Sequence, residues 1–279
     1  MRIKISHETT FRYEPATRGV IQNLRLTPRS FDSQYVLRWR VSVDLDGALR
    51  HTEDSLGNVV QAFSHAKPVE RFVVAAHGEV ETLDAVGVVR GAVETLPTEM
   101  YLRSSEKAHA NASLRDFAHT AITGSTDPLD RLHKLMDAIH GEIAFDPAAT
   151  PAASGAGEAL ALKKGAAADF AHVFIAAARL LGIPARFVSG YVVPDSGETA
   201  TGMSAWAEAT APGLGWIAFD AARNMCADAN YVRVAIGFDA ASAAPFRASH
   251  MGAAVETVGT VVQITDTLAP SRGQSQRQS

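Results

Sequence analysis

Ten histidines, one cysteine and thirty acidic side chains make up the chain's stock of groups able to attack, carry protons or hold a metal. Cys226 is the single thiol. Thiolate chemistry either rests on it or is absent. It follows Asp220 by a few residues, ahead of a strand, and reads as a packing cysteine. Asp169 and His172 are three residues apart on a helical stretch, so they share a face. That spacing suits an acid–base pair or a set of structural hydrogen bonds. His133 and His140 are seven apart on another helix and read as exposed. No two histidines have helical i, i+4 spacing beside a third ligand, so no metal is expected. Gly155-Ala156-Gly157 lacks a third glycine and a preceding strand, and reads as a loop rather than a nucleotide-binding turn. Lys163 and Lys164 precede a helix and read as a solvated face.

A more specific arrangement begins at Gly165-Ala166-Ala167-Ala168-Asp169-Phe170-Ala171-His172 and runs to Pro184. Ser189-Gly190-Tyr191 follows, then Ser204-Ala205-Trp206-Ala207-Glu208, then the run from Gly213 through Trp216 to Asp220. Together these resemble the nucleophile helix, histidine strand and aspartate strand of the transglutaminase-like superfamily, which includes papain-like cysteine proteases. Leu24-Arg25-Leu26-Thr27-Pro28-Arg29 is similar to the N-terminal β domain of bacterial members. Residues 231–237 are similar to the segment after the aspartate. The resemblance spans residues 1–265, in order.

The resemblance implies a Cys-His-Asp site for acyl transfer. A thiolate at a helix N-terminus is favoured by the dipole. A histidine on the facing strand moves the proton, and a carboxylate on the next strand orients the imidazole. Here the cysteine position holds Ala167 and the histidine position holds Ser204. Only Asp220 remains. A methyl group forms no thioester, and a serine hydroxyl is no base near neutral pH. Groups that act as a unit fail together, so Asp220 alone rescues nothing. Gly165, Asp169, His172, Tyr191 and Trp206 are expected to line the remaining cleft. Asp220 should seek Ser204, Trp206 or a backbone donor, because an unpaired buried charge is costly. The resemblance therefore implies a protein without catalysis that binds a peptide, a protein or an active relative. The alternative is an unconventional amide hydrolase working through Asp220, His172 or a water.

The elements around these residues follow from periodicity. Residues 35–45 alternate in period two, with the odd positions apolar, and so do residues 72–80. Asp46-Gly47 and Gly57-Asn58 mark turns. Short strands with turns between them predict a β-sandwich over residues 1–86. Residues 87–104 are weakly patterned and read as a linker. The period then changes. A helix is expected over residues 113–122. Another starts where Asp127 caps and Pro128 takes the first position, with Leu132, Leu135, Met136, Ile139 and Ile143 on one stripe. Residues 147–157 read as a loop. A helix over residues 166–181 ends at Gly182 and Pro184. Strands are expected at 185–193, 204–210, 216–220, 231–236 and 255–264. The fold class is α+β: the sandwich first, then a transglutaminase-like (papain-like) domain over residues 105–265. The tail, residues 266–279, is expected to be disordered.

Composition excludes several classes. The 26 basic and 30 acidic residues leave a net charge of −4 with no dense basic block. Nucleic acid and anionic lipid are therefore not expected partners. No apolar run has the length to span a membrane. The N-terminus carries no signal-like apolar core. A lone cysteine fits a reducing compartment, so a cytoplasmic location is expected. No cofactor is expected.

Overall fold

A computed structural model describes residues 1–148, 155–194 and 202–267. The chain opens with β1 (Arg2–Thr17), β2 (Val20–Thr27), β3 (Gln34–Val43), β4 (Arg50–Glu53), β5 (Val59–His65) and β6 (Val69–Thr82). A short β7 (Val88–Val89) and a 3-10 turn (Thr98–Leu102) follow. The helices are α1 (Ala112–Ala121), α2 (Pro128–Glu142), α3 (Ala156–Leu162) and α4 (Ala167–Leu180). The two-residue strands β8 (Ala144–Phe145) and β9 (Lys164–Gly165) flank α3. The remaining strands are β10 (Ala185–Val192), β11 (Ser204–Ala211), β12 (Gly215–Asp220), β13 (Met225–Cys226), β14 (Tyr231–Gly237), β15 (Phe246–His250) and β16 (Val255–Asp266). No helix among the described residues is long and apolar enough to cross a membrane.

The sandwich consists of two four-stranded sheets, ordered β16-β1-β6-β3 and β15-β2-β5-β4. In β1 the odd residues from Ile3 to Tyr13 are buried, as period two requires. Phe11, Leu24, Phe63, Phe72 and Val74, from both sheets, share one core. In β3 a register shift between Val36 and Arg38 breaks the alternation. Val36 therefore packs inward, while Tyr35 and Leu37 are exposed. The uniform odd-inward pattern expected for this strand is corrected by that bulge.

The chain's last strands also depart from expectation. β16 pairs with β1 from Glu14↔Val255 to Ile3↔Asp266, and β15 pairs with β2. Residues 246–266 thus belong to the sandwich, whereas residues 105–265 were expected to form the second domain. The linker is not free either, since Val88 and Val89 pair with β12. Of the expected loop at 147–157, residues from Ala156 on are helical, with Gly155 at the cap and Gly157 inside α3. Residues 149–154 and the tail beyond residue 267 lie outside the described residues.

The second body is a sheet ordered β13-β12-β11-β10-β14, with α4 against one face. α4 is buried nearly all round, as a central helix should be. α1, α2 and α3 surround it. The Asp127 carboxylate accepts from the Asp130 amide to cap α2, with Pro128 at its first position. α4 ends in a Schellman turn. Gly182 N–H donates to Arg179 O and Ile183 N–H to Ala178 O, with Gly182 at φ +76°. Arg179 is buried among carbonyls, donating to Tyr101 O at 2.9 Å and Phe238 O at 2.8 Å, and burial lowers its pKa to about 10.

Two carboxamides fasten the sandwich to the open edge of β14. Gln34 donates to Arg233 O at 2.9 Å and accepts from Arg233 N–H at 2.8 Å. Asn58 does the same at Ile236, at 2.9 and 2.8 Å. Each amide completes a strand-like exchange, so this edge keeps no unpaired run.

Candidate functional site

Ala167 is the first residue of α4, and Ala166 is its cap. An alanine cap offers no oxygen to the helix. Asp169 supplies the other half of the usual arrangement, its Oδ2 accepting from Ala166 N–H at 2.8 Å. Gly165 is required beneath it, because a Cβ there would lie 2.8 Å from Asp169 Cβ. Ser204 opens β11, opposite Gly190, and Asp220 ends β12. β10, β11 and β12 are neighbours, so α4's N-terminus, Ser204 and Asp220 belong to one end of the sheet.

Alternation divides the sheet's faces. Ala205, Ala207, Ala209, Ile217 and Phe219 face α4. Trp206, Trp216, Ala218 and Tyr231 belong to a separate core on the other face.

Asp220 is 2% exposed. Its Oδ2 accepts from the Tyr231 hydroxyl at 2.8 Å, and its Oδ1 from the amides of Ala222 at 3.0 Å and Arg223 at 3.2 Å. The Arg223 guanidinium stands 3.9 Å away. Burial raises the Asp220 pKa, and the Tyr231 bond is the largest opposing influence. Of the partners expected, only backbone donors are found. Tyr231 was missed, because eleven residues and a turn separate it from Asp220. The Trp206 indole Nε1 is buried and meets no acceptor among the described residues.

The other expected cleft residues divide. Trp206 lines a cavity of about 40 Å³ with Phe31, Leu83, Val88, Tyr231 and Arg233. Tyr191 does not line it. Tyr191 is fully buried against the sandwich, bonded to His7 Nδ1 at 2.8 Å. That placement corrects its assignment to the cleft, and it follows from β10 lying next to β14 at the domain contact. His172 is 3% exposed and lies against Phe187, its Nε2 accepting from Ala240 N–H at 3.1 Å. Burial lowers its pKa to about 4. It is a structural imidazole rather than a free base in a cleft, and Asp169 is engaged at the helix cap.

Two groupings were not foreseen. Glu208, fully buried, accepts from Arg186 Nε at 2.6 Å and from Arg233 Nε at 2.7 Å. The two guanidinium groups outweigh its burial and hold its pKa near 2. Arg186 also forms a bidentate pair with Glu94 and stacks 3.8 Å over Trp216. The sequence signal was the charge of Arg186 and Glu208 inside strands otherwise apolar.

The second grouping is Cys226 with His133. Sγ lies 3.6 Å from Nε2. His133 Nδ1 donates to Leu129 O at 3.1 Å, which leaves Nε2 as the lone-pair nitrogen facing the thiol. His133 is thus half-buried, not exposed, and burial raises the Cys226 pKa.

Sequence comparison agrees with this geometry. Residues 115–221 match the profile of the transglutaminase-like superfamily, and residues 3–81 match that of the bacterial transglutaminase-like N-terminal region. The chain belongs to the transglutaminase-like superfamily. An uncharacterized protein of Mycobacterium leprae is 27% identical over 95% of this chain and 98% of its own length. An uncharacterized protein of Mycobacterium tuberculosis is 25% identical over 88% of this chain and 86% of its own. The structure of a candidate cysteine protease from Cytophaga hutchinsonii superposes with a TM-score of 0.75 at 22% identity, covering 96% of this chain and 91% of that one. At that identity the likeness is one of fold.

Proposed function

We propose that this superfamily member performs no acyl transfer and uses its cleft to bind a peptide or protein segment, an active relative included. The observation that carries this reading is the state of Asp220. Its orienting oxygen is taken by Tyr231, in a frame with Ala167 and Ser204 at the other two positions. A carboxylate whose oxygen is held by a phenol in this way has no base to serve. Nucleic acid is not a partner in this reading, and the protein works in the cytoplasm.

The test is turnover of a casein-type substrate with an amine donor, read by mass spectrometry. The unmodified chain is compared with the Ala167→Cys/Ser204→His double replacement, with and without Tyr231→Phe. No turnover from the unmodified chain, and turnover after replacement, supports the reading. Turnover by the unmodified chain that Asp220→Ala abolishes sinks it.

One observation favours a second reading, unconventional amide hydrolysis. Cys226 is a thiol within reach of an imidazole that a backbone carbonyl orients. The raised thiol pKa weighs against it. Turnover lost in Cys226→Ser, but kept in Asp220→Ala, would select it.

A further inference from the structure

A sheet is vulnerable at its edges, where a strand's outer N–H and C=O groups meet no neighbour and can template another strand. Most edges of this fold carry a protecting device. β3 has a bulge and the cations Arg38 and Arg40. β4 is four residues long, with Arg50 and Glu53 at its ends. β13 has two residues, and β15 has five, with Arg247 among them. The edge of β14 is taken by Gln34 and Asn58.

β16 has none of these devices. Among the described residues it pairs with β1 alone, with no break in register. Between Glu256 and Asp266 it has no charged residue and no proline. Valine, threonine and isoleucine, all β-branched, fill most of it. Val255 is 69% exposed, Val258 49% and Val261 64%. A long uncharged edge with valines in solvent invites a further strand.

A second copy of β16 fits it. A two-fold axis normal to the sheet lays one β16 antiparallel to the other, and every contact is made twice. Opposed residues point to the same face, so both are even or both odd, and one residue lies on the axis opposite itself. Charge selects which. With Val261 on the axis, Glu256 would lie opposite Asp266 of the second copy, like against like. With Thr260 on the axis, Glu256 meets Ile264, Val258 meets Val262, and residues 255–265 all pair. Val261 then lies opposite Gly259, where an added Cβ would find nothing within 4 Å, so the valine has room.

Size agrees. The strand is about 40 Å long at about 3.4 Å per residue. β15 of the other sheet lies against β1, with Phe246 on Phe11 and His250 on Tyr13. The edge is therefore two sheets deep, about 20 Å with side chains. Length times depth gives on the order of 800 Å² per copy, the size of a standard interface. Both edges are already ordered, so they avoid the entropy a free peptide loses in becoming a strand.

We infer that β16 is a self-association edge: two copies of the chain join their β16 strands antiparallel about Thr260. The two four-stranded sheets become one of eight strands. The inference does not rest on the binding reading above, since β16 lies in the sandwich and Ala167, Ser204 and Asp220 lie on other elements.

Sedimentation equilibrium on the full chain, up to about 100 μM, should give twice the mass of one chain, because interfaces of this size reach micromolar affinity or tighter. Thr257→Lys/Val261→Lys puts cations on the exposed face of each β16 and should weaken the dimer at least tenfold. Single cysteines in a Cys226→Ser background read the register, and keep the test valid if the lysines unfold the chain. Oxidised Thr260→Cys should join two chains, since opposed strand residues lie within the roughly 4.4–6.8 Å that a disulfide spans. Val255→Cys should not, its two copies lying about 34 Å apart in this register. A monomer at every concentration would overturn the inference, and so would a dimer indifferent to the two lysines. Failure of Thr260→Cys to cross-link, or equal cross-linking of Val255→Cys, would overturn the pairing about Thr260. None of these outcomes bears on the cleft or on turnover.

Discussion

Replacing Tyr231 by phenylalanine removes one oxygen and leaves the ring that packs on Trp206. The carboxylate it bonds is 2% exposed. After the change, Oδ2 keeps only the Arg223 guanidinium at 3.9 Å, beyond hydrogen-bond reach. Oδ1 keeps its two amides. Losing one hydrogen bond to a buried charged group costs about 1.5–3 kcal/mol. For a chain of this size that lowers Tm by roughly 2–4 °C per kcal/mol. The dependence on pH is more discriminating. Burial raises the Asp220 pKa above its unfolded value. The folded state therefore binds the proton more readily than the unfolded chain, and Asp220 opposes folding least at acid pH. Removing the phenol raises that pKa further, so the penalty of Tyr231→Phe is full at neutral pH and shrinks as Asp220 protonates. Urea denaturation of both proteins at pH 7.5 and pH 5 measures this, because shared acid effects cancel in the difference. The same change made in Asp220→Asn should cost less, giving a coupling energy of at least about 1 kcal/mol. Penalties that simply add, or a penalty that grows with acid, would refute the account of Asp220.

Two buried histidines should make the protein acid-sensitive. His7 and His172 both have pKa values lowered to about 4 by burial. The unfolded chain then binds more protons between that value and 6.5, so stability is full above pH 6.5 and falls toward pH 4. The loss is on the order of 3 kcal/mol per group, and denaturation midpoints in His7→Gln should vary less steeply with pH. Gly190→Ala should be among the most damaging single changes, since its Cβ would sit 2.2 Å from Val232 O and 2.5 Å from Trp206 Cη2. A stability loss under about 1 kcal/mol in thermal unfolding would contradict that packing. Glu208→Gln leaves Arg186 with Glu94 alone and Arg233 with a neutral partner, and should cost about 3–5 kcal/mol, or prevent folding, judged by soluble yield and circular dichroism.

What the sequence reveals depends on the range of the interaction. The start of α2 is legible because Asp127 and Pro128 act within one turn, and the end of α4 because Gly182 does. The start of β11 at Ser204 and the end of β12 at Asp220 are legible because the residues around them keep their alternation. The return of β15 and β16 to the sandwich is not legible, since β16 pairs with β1 across more than 200 residues and period two names no partner. α3 is hidden by its glycine and alanine content. The bulge in β3 reverses a face that alternation alone assigns with apparent clarity. Tyr191 belongs to a cleft motif by sequence and to the domain contact by position, because register, not motif, decides which side of a strand meets the sandwich.

The same reasoning explains why a site can lose its chemistry and keep its frame. A buried aspartate is tolerated only with donors around it. In a Cys-His-Asp site the imidazole is one of them, so loss of the histidine creates a stability problem before any question of catalysis. Tyr231 meets that need from the strand at the far side of the sheet, and its ring closes over Trp206 as it does so. At α4 the carboxylate of Asp169 lies in the first turn, where a helix favours negative charge. Both places are thus satisfied by hydrogen bonds within the chain, as the proposed absence of acyl transfer requires.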